Sequence, residues 1–512
     1  MQNSSEQTGH YKRIARNTVM LYIRMIFLML ISLYTSRLML QILGIENYGL
    51  YNVVAGIIVL FSFLNVALTG ATQRFLSFSL GIHNEMHTNN IFCTSVNLHF
   101  IIGIVVLVLS ETVGLWFFYN ALNIPTGREN AALWAYQFAV LTAVLSILRV
   151  PYSSLIVSYE RMDCFAYFSI IEAILKILPI IILPLFMYDR LIMYSILLTF
   201  VNGLILLLFI FYCKRTFVAS RYRYIFDKKV FVEMFNYSGW ALLGGSANLA
   251  RGQGVNILFN LFGGVIVNAA MGISNQVNGA VSGFMSNFAM AYTPQIIKYY
   301  AEGDYVSFHK LVSVSSKYSF VLMTFITIPI ICNIDDILYL WLGSYPMYTT
   351  NFCICIFVAT LIDAFSAPLW GAIGAVGRMK TYQILMSVIG LMILPYSYVL
   401  LSYGFSPVYC IMGNIFVNLG LLLVRVILLK RYSGFSQKQY ILKVLVRGLL
   451  FFSISFALSK LISPTIPNKF LMVVFSTFIS IIINISMCCL IYLSKDERQT
   501  FIQYIKKKLL CK

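Results

Sequence analysis

The strongest constraint on this chain is the recurrence of long apolar runs. A helix that crosses a bilayer needs about 20 mostly apolar residues. About fourteen such runs follow one another, at 18–43, 48–70, 91–119, 131–157, 164–186, 191–212, 237–262, 265–293, 311–333, 351–375, 381–403, 406–429, 444–462 and 470–493. They take up more than half of the 512 residues, so the connections are short and leave no room for a folded soluble domain. Hydrocarbon offers the backbone no hydrogen-bond partners, so each run must satisfy its own amides as a helix. The chain is 60% hydrophobic and 11% charged, whereas soluble domains carry about 25% charged residues. The expected fold class is an all-α integral membrane protein. Residues 1–17 are polar and basic, and the run behind them is too long for a signal peptide, so it reads as a first retained helix.

The net charge of +19 does not indicate nucleic acid, because the basic residues lie between the apolar runs rather than on one soluble face. With an even number of spans both termini share a side. The termini and even-numbered connections hold 25 Lys and Arg, and the odd-numbered ones only Arg128, Arg190, Lys460 and Lys469. The positive-inside rule then puts both termini in the cytoplasm. The ten cysteines form no CxxC pair and the five histidines are dispersed, so no metal and no cofactor is expected. The phosphate loop, HExxH and GxSxG are all missing, which argues against an enzyme.

The longest polar interruption, 213–236, divides the chain. It separates a first lobe (1–212) from a second (237–430), with two further helices and a basic tail in 431–512. Each lobe opens alike. One helix closes in glycine, Gly44 in the first lobe and Gly263-Gly264 in the second, and a short turn leads to a helix with a polar face. Those second helices end near Ala71-Thr72-Gln73 and Tyr292-Thr293-Pro294, about 220 residues apart. A six-plus-six repeat marks transporters that hold substrate between their halves near the midplane.

Polar and charged residues inside the runs locate that substrate path. Asn65 and Thr69 lie on one face of the second helix. Asn248, Gly252, Asn256 and Asn260 form an i+4 row, and Asn268, Asn275, Gly279, Ser282 and Ser286 line the next run. The glycines suit close helix packing, whereas a continuous amide and hydroxyl stripe in oil suits a wetted cavity. Intramembrane charge is costly and usually functional. Arg24, Arg37, Arg149, Arg251 and Lys317 stand against Glu111, Glu172 and Asp363. Glu172 and Lys176 are spaced for an internal pair. Arg24, Arg74, Arg149 and Arg425 lie near helix ends, within snorkelling reach of headgroups. Arg37 and Arg251 lie deeper, in the first helix of each lobe. The cation excess suggests that a ligand brings the missing anion, and arginine binds phosphate with paired hydrogen bonds.

The segments LQILGIENYGLYNVV, LNVALTGATQRFLSFSLG and NILFNLFGGVIVNAAMGISNQVNGAVSGFMSNFAMAYTPQIIKYYAEGD resemble bacterial polysaccharide exporters of the MOP superfamily, the Wzx-type lipid-linked oligosaccharide flippases. The resemblance implies two six-helix lobes around a cationic cavity that opens alternately to each side of the inner (cytoplasmic) membrane. Its implied substrate is a glycan on undecaprenyl diphosphate, moved to the periplasmic leaflet, with other polysaccharide assembly proteins as partners. On that reading Arg24, Arg37, Arg251 and Lys317 meet the diphosphate. Asn65, Thr69, Asn248, Asn256, Asn268, Asn275 and Ser282 meet the glycan. Glu111, Glu172 or Asp363 carries a coupled proton, or else the membrane potential drives the anion. The final two helices are similar to those that form a lipid-tail groove in lipid II flippases. The rivals are a lipid II flippase, a MATE-type multidrug antiporter and, further off, a membrane enzyme of glycan assembly.

Overall fold

The computed structural model describes residues 16–31, 34–35, 38, 42–43, 62–121, 127–223, 227–462 and 467–493. Every extended element among them is helical. In chain order they are α1 (16–31), α2 (Ser62–Gly81), α3 (Glu85–Asn120), α4 (Glu129–Ser158), α5 (Met162–Leu185), α6 (Arg190–Thr216), α7 (Lys228–Ala301), α8 (Tyr305–Cys332), α9 (Ile334–Leu342), α10 (Thr349–Val376), α11 (Met379–Ser402), α12 (Pro407–Ser433), α13 (Gln437–Leu461) and α14 (Lys469–Tyr492). Among the described residues, ten helices are long and apolar enough to cross a membrane.

Polar side chains at the connections start the helices. Asp189 accepts from the amides of Leu191 (3.0 Å) and Ile192 (3.2 Å). Asp227 does the same at α7 and Asn468 at α14. These caps satisfy amides that have no partner within the helix. At the other ends, Gly377 (φ 83) and Gly434 (φ 72) take the left-handed conformation that stops α10 and α12.

Three expectations about the helices are corrected. The first concerns where the second helix of each lobe ends: α2 continues past Ala71-Thr72-Gln73 to Gly81, and α7 past Tyr292-Thr293-Pro294 to Ala301. The second is the turn expected at Gly263-Gly264, which is helical instead. Even so, the chain reverses within α7. Tyr237 packs on Phe75 (ring centroids 5.9 Å apart), while a Cβ on Gly81 would stand 2.8 Å from Ala301 Cβ. Phe75 and Gly81 are close neighbours on α2, but a straight helix would hold residues 237 and 301 about 95 Å apart. At Gly263, where a Cβ would meet Val267 Cγ2 at 2.6 Å, only glycine fits, and the segment stays helical. Glycine disfavours a helix by about 1 kcal/mol, less than the several kcal/mol of exposing an amide to lipid. The third is the connection 334–350, read as irregular, which contains the short helix α9.

The chain forms two compact units: Met1–Ser246 with Met290–Asp304, and Ala247–Ala289 with Tyr305–Lys512. Core packing in the first joins Phe75, Phe92, Tyr152, Phe209 and Met234. In the second, α13 and α14 attach to α8 and α10. Phe320 stacks on Phe365 (3.8 Å), the Tyr440 hydroxyl donates to the Phe365 carbonyl (2.8 Å), and Tyr492 donates to the Val444 carbonyl (3.1 Å). Contacts between connections follow parity. At one end of the first unit His83 meets Glu302 and Glu160 meets Lys298, while Arg128 and Asp189 pair between two odd-numbered connections. In the second unit His309 meets Ser433, and Lys469 meets Asp336.

Candidate functional site

In the first unit Arg149 and Lys176 both reach one carboxylate. Glu172 sits mid-way along α5, and Lys176 one turn on reaches its Oε1 at 2.6 Å. Arg149, from α4, donates to Oε2 at 2.7 Å, with its guanidinium 5.5 Å from the Phe209 ring. Arg24 on α1 lies 4.8 Å over Phe165, two turns before Glu172 on α5, and feels the Glu172 charge. The expected Glu172–Lys176 pair is present. The snorkelling expected of Arg149 is corrected: a carboxylate one helix away offers a closer partner than any headgroup.

In the second unit two arginines flank one carboxylate. Arg251 on α7 donates from Nε to Asn414 Oδ1 (3.2 Å) and from Nη2 to Asn418 Oδ1 (3.1 Å). Asn418 in turn donates from Nδ2 to Asp363 on α10 (2.9 Å). Arg425 donates to Tyr382 (3.0 Å) and to Ser366, and both arginines act electrostatically on Asp363. Arg425 is therefore part of an internal network rather than a snorkelling residue. Asn414 and Asn418 went unnoticed in the sequence although they share one face of α12 with Arg425, since steps of 4 and then 7 return to the same side of a helix.

The other expected site residues are spread out. Lys317 on α8 is buried among rings, its Nζ 5.3 Å from Tyr492 and 5.9 Å from Tyr318, beside α14. Glu111 lies in a wide π turn, Ser110–Gly114, and accepts from Gln137 at 3.1 Å. The widened turn lets the Tyr136 hydroxyl donate to the Ser110 carbonyl (2.7 Å) in space that a side chain at Gly114 would fill. Asn248 and Asn275 are exposed, and Thr69, Asn256 and Ser282 half-buried. Asn256 and Ser282 each donate locally at 3.5 Å, to Gln253 and Asn278. Gly272 before Asn275, and Gly279 and Ser286 after it, extend the exposed stripe. Arg37 and the side chains of Asn65 and Asn268 lie outside the described residues.

Arg74 is also corrected from a snorkelling position. It is caged by Phe75 (4.6 Å), Phe78 (5.1 Å) and Tyr237 (5.6 Å). Sequence reasoning missed Glu160 altogether. It closes α4 in the left-handed conformation (φ 59), which costs a residue other than glycine about 1–2 kcal/mol. Its carboxylate is buried against Gln295 and Lys298.

A many-helix membrane protein with a net-positive centre in each of two units is the class these observations define. Its fold is that of the MATE transporters of the MOP superfamily. A MATE in complex with MaD3S is similar at TM-score 0.68 and 14% identity, covering 87% of this chain and 96% of that one. An outward-facing multidrug resistance MATE transporter of the MOP superfamily gives 0.66 and 13%, covering 87% and 96%. A MOP superfamily transporter from Pyrococcus furiosus, described by the reverse polarity of its binding pocket, gives 0.67 and 14%, covering 82% and 96%. No known sequence family and no curated protein matches the chain.

Proposed function

We propose that this protein is a flippase for lipid-linked oligosaccharides, carrying undecaprenyl-diphosphate-linked units from the cytoplasmic to the periplasmic leaflet of the inner membrane by alternating access. One observation carries the reading: at Glu172 and at Asp363 arginine and lysine outnumber the carboxylate. A fixed excess of positive charge within a bilayer is costly unless an anion visits it, and a diphosphate is an anion with the geometry arginine prefers. Arg24 in the first unit, and Arg251 and Lys317 in the second, are the side chains we assign to anion binding; Arg37, assigned with them from the sequence, lies outside the described residues. The exposed Asn248, Asn275 and Ser286, together with Thr69, Asn256 and Ser282, supply hydrogen bonds to sugars. The description of the Pyrococcus furiosus neighbour fits a fold that accepts pockets of different polarity.

The test is flipping of a fluorescent undecaprenyl-diphosphate oligosaccharide in proteoliposomes. Arg24→Ala and Arg251→Ala each slow it about tenfold or more, and Arg251→Lys retains part of the rate. Wild-type rates in both alanine variants would reject the reading. Collapsing the potential and the proton gradient separately identifies the driving force, since the potential supplies about 2.3 kcal/mol per charge per 100 mV. Lipid II in place of the oligosaccharide separates the nearest rival.

Multidrug antiport is the second reading. Glu111 favours it, as a carboxylate held by an amide in a π turn, a type of distortion frequent at functional sites. Ethidium efflux in a pump-deficient strain, lost in Glu111→Gln, would support it.

A further inference from the structure

Helix α7 changes unit near its end: Ala247–Ala289 belongs to the second compact unit and Met290–Asp304 to the first. Just beyond that crossover, Glu160 takes hold of it. Gln295 Nε2 lies 2.6 Å from each Glu160 oxygen, and Lys298 Nζ 2.6 Å from Oε1. The carboxylate is 1% exposed, and the lysine side chain 17%. The adjacent Arg161 is engaged separately, its Nε bonded to Asp163 Oδ1 at 3.1 Å. The backbone is fixed from a third side, where Asn17 Nδ2 donates to the Glu160 carbonyl at 3.3 Å. A left-handed glutamate persists only where its surroundings hold it.

We propose that Glu160 is a latch that holds the end of α7 on the first unit and releases it once per transport cycle. This rests on the alternating-access reading above. The physical basis is that the contact has two discrete states. Bonded, the carboxylate and ammonium satisfy each other out of water. Parted, each must be hydrated. The N-terminal segment and the two connections that meet here are those with the basic residues that mark the cytoplasmic side. Hydration is therefore available there to the open state, and the latch exchanges one satisfied arrangement for another. Bistable contacts of this kind are what convert small shifts into movement of whole elements.

The test uses spin labels on the full-length protein in lipid nanodiscs, with the native cysteines replaced by serine. The labels are placed at Met86→Cys and Asp304→Cys, both exposed and both in the first unit. Two distance populations are expected without Glu160 changes. Glu160→Gln and Lys298→Met each shift their ratio toward the longer distance by about fivefold or more. The charge swap Glu160→Lys with Lys298→Glu brings it back. A single distance common to all four proteins overturns the latch, and so does a swap that fails to restore the ratio. Lys298→Met carries the test if Glu160→Gln does not fold. In a second arm, a short bismaleimide joins Glu160→Cys to Lys298→Cys. It stops oligosaccharide flipping if the latch must open, and unchanged flipping rejects the proposal. The spectroscopic arm needs no substrate. Two populations in a protein that flips no oligosaccharide reject the substrate reading and leave the latch standing.

Discussion

Replacing Glu172 with glutamine tests the cationic centre of the first unit directly. The substitution preserves shape and removes the one charge that Arg149 and Lys176 share, at 2.7 and 2.6 Å. At an effective dielectric constant of about 20, a pair 2.7 Å apart is worth about 6 kcal/mol before desolvation. Removing one partner of a buried pair costs about 3–5 kcal/mol in practice. Lys176 is 38% exposed, so the lower end, about 3 kcal/mol, is expected. Denaturant titration in mixed micelles reads this value for Glu172→Gln, for Arg149→Met and for the double variant. The double variant should lose less than the sum, with a coupling of about 1–3 kcal/mol. Undecaprenyl diphosphate should then stabilise Glu172→Gln more than wild type, because the ligand phosphate replaces the missing carboxylate. A cost for Glu172→Gln below about 0.5 kcal/mol would refute the energetic argument. Equal stabilisation of both proteins by the ligand would refute its link to the anion.

Three further outcomes follow from local geometry. A methyl group at Gly114 overlaps the Tyr136 hydroxyl, so Gly114→Ala should cost about 1–3 kcal/mol, read by the same titration and largely relieved by Tyr136→Phe. Gly81→Ala meets backbone as well as side chain, with Lys298 O at 2.9 Å and Ala301 Cβ at 2.8 Å. It should loosen the end of α7 and speed hydrogen exchange over residues 298–302. Asp189 is pushed up by burial, but the Arg128 guanidinium and the amides of Leu191 and Ile192 outweigh this and hold it below the ordinary carboxylate value. A depressed carboxyl contributes stability that is present above its unfolded value of about 3.9 and is lost as pH falls through its folded value. The stability gap between wild type and Asp189→Asn should therefore be full at neutral pH and close in strong acid, and a gap that widens on acidification would contradict this.

Hydropathy reached the helical fold class because it acts residue by residue. An apolar run in lipid must be helix whatever surrounds it, so the boundaries of α3 to α6, α8 and α10 to α14 lie within a few residues of those read from sequence, apart from the earlier starts of α3, α8 and α13. The excess of intramembrane cations was equally legible, as was the Glu172–Lys176 pair, because its spacing is set by a single helix. The bend within α7 was legible only in part. Two glycines announce weakness, but they do not say whether helical hydrogen bonding stops there.

Partners on different helices could not be read this way. That Arg149 crosses to Glu172, that Arg251 reaches Asp363 through Asn418, and that Glu160 grips Lys298 all depend on which helix faces meet. Many packings of similar apolar faces satisfy the same composition. The sequence by itself determined which runs are apolar enough to cross a bilayer and which charges fall within them. Tertiary structure alone decided which of those charges stand together, because a side chain's nearest partner is set by the rotation of two helices about their axes, and hydropathy says nothing of that.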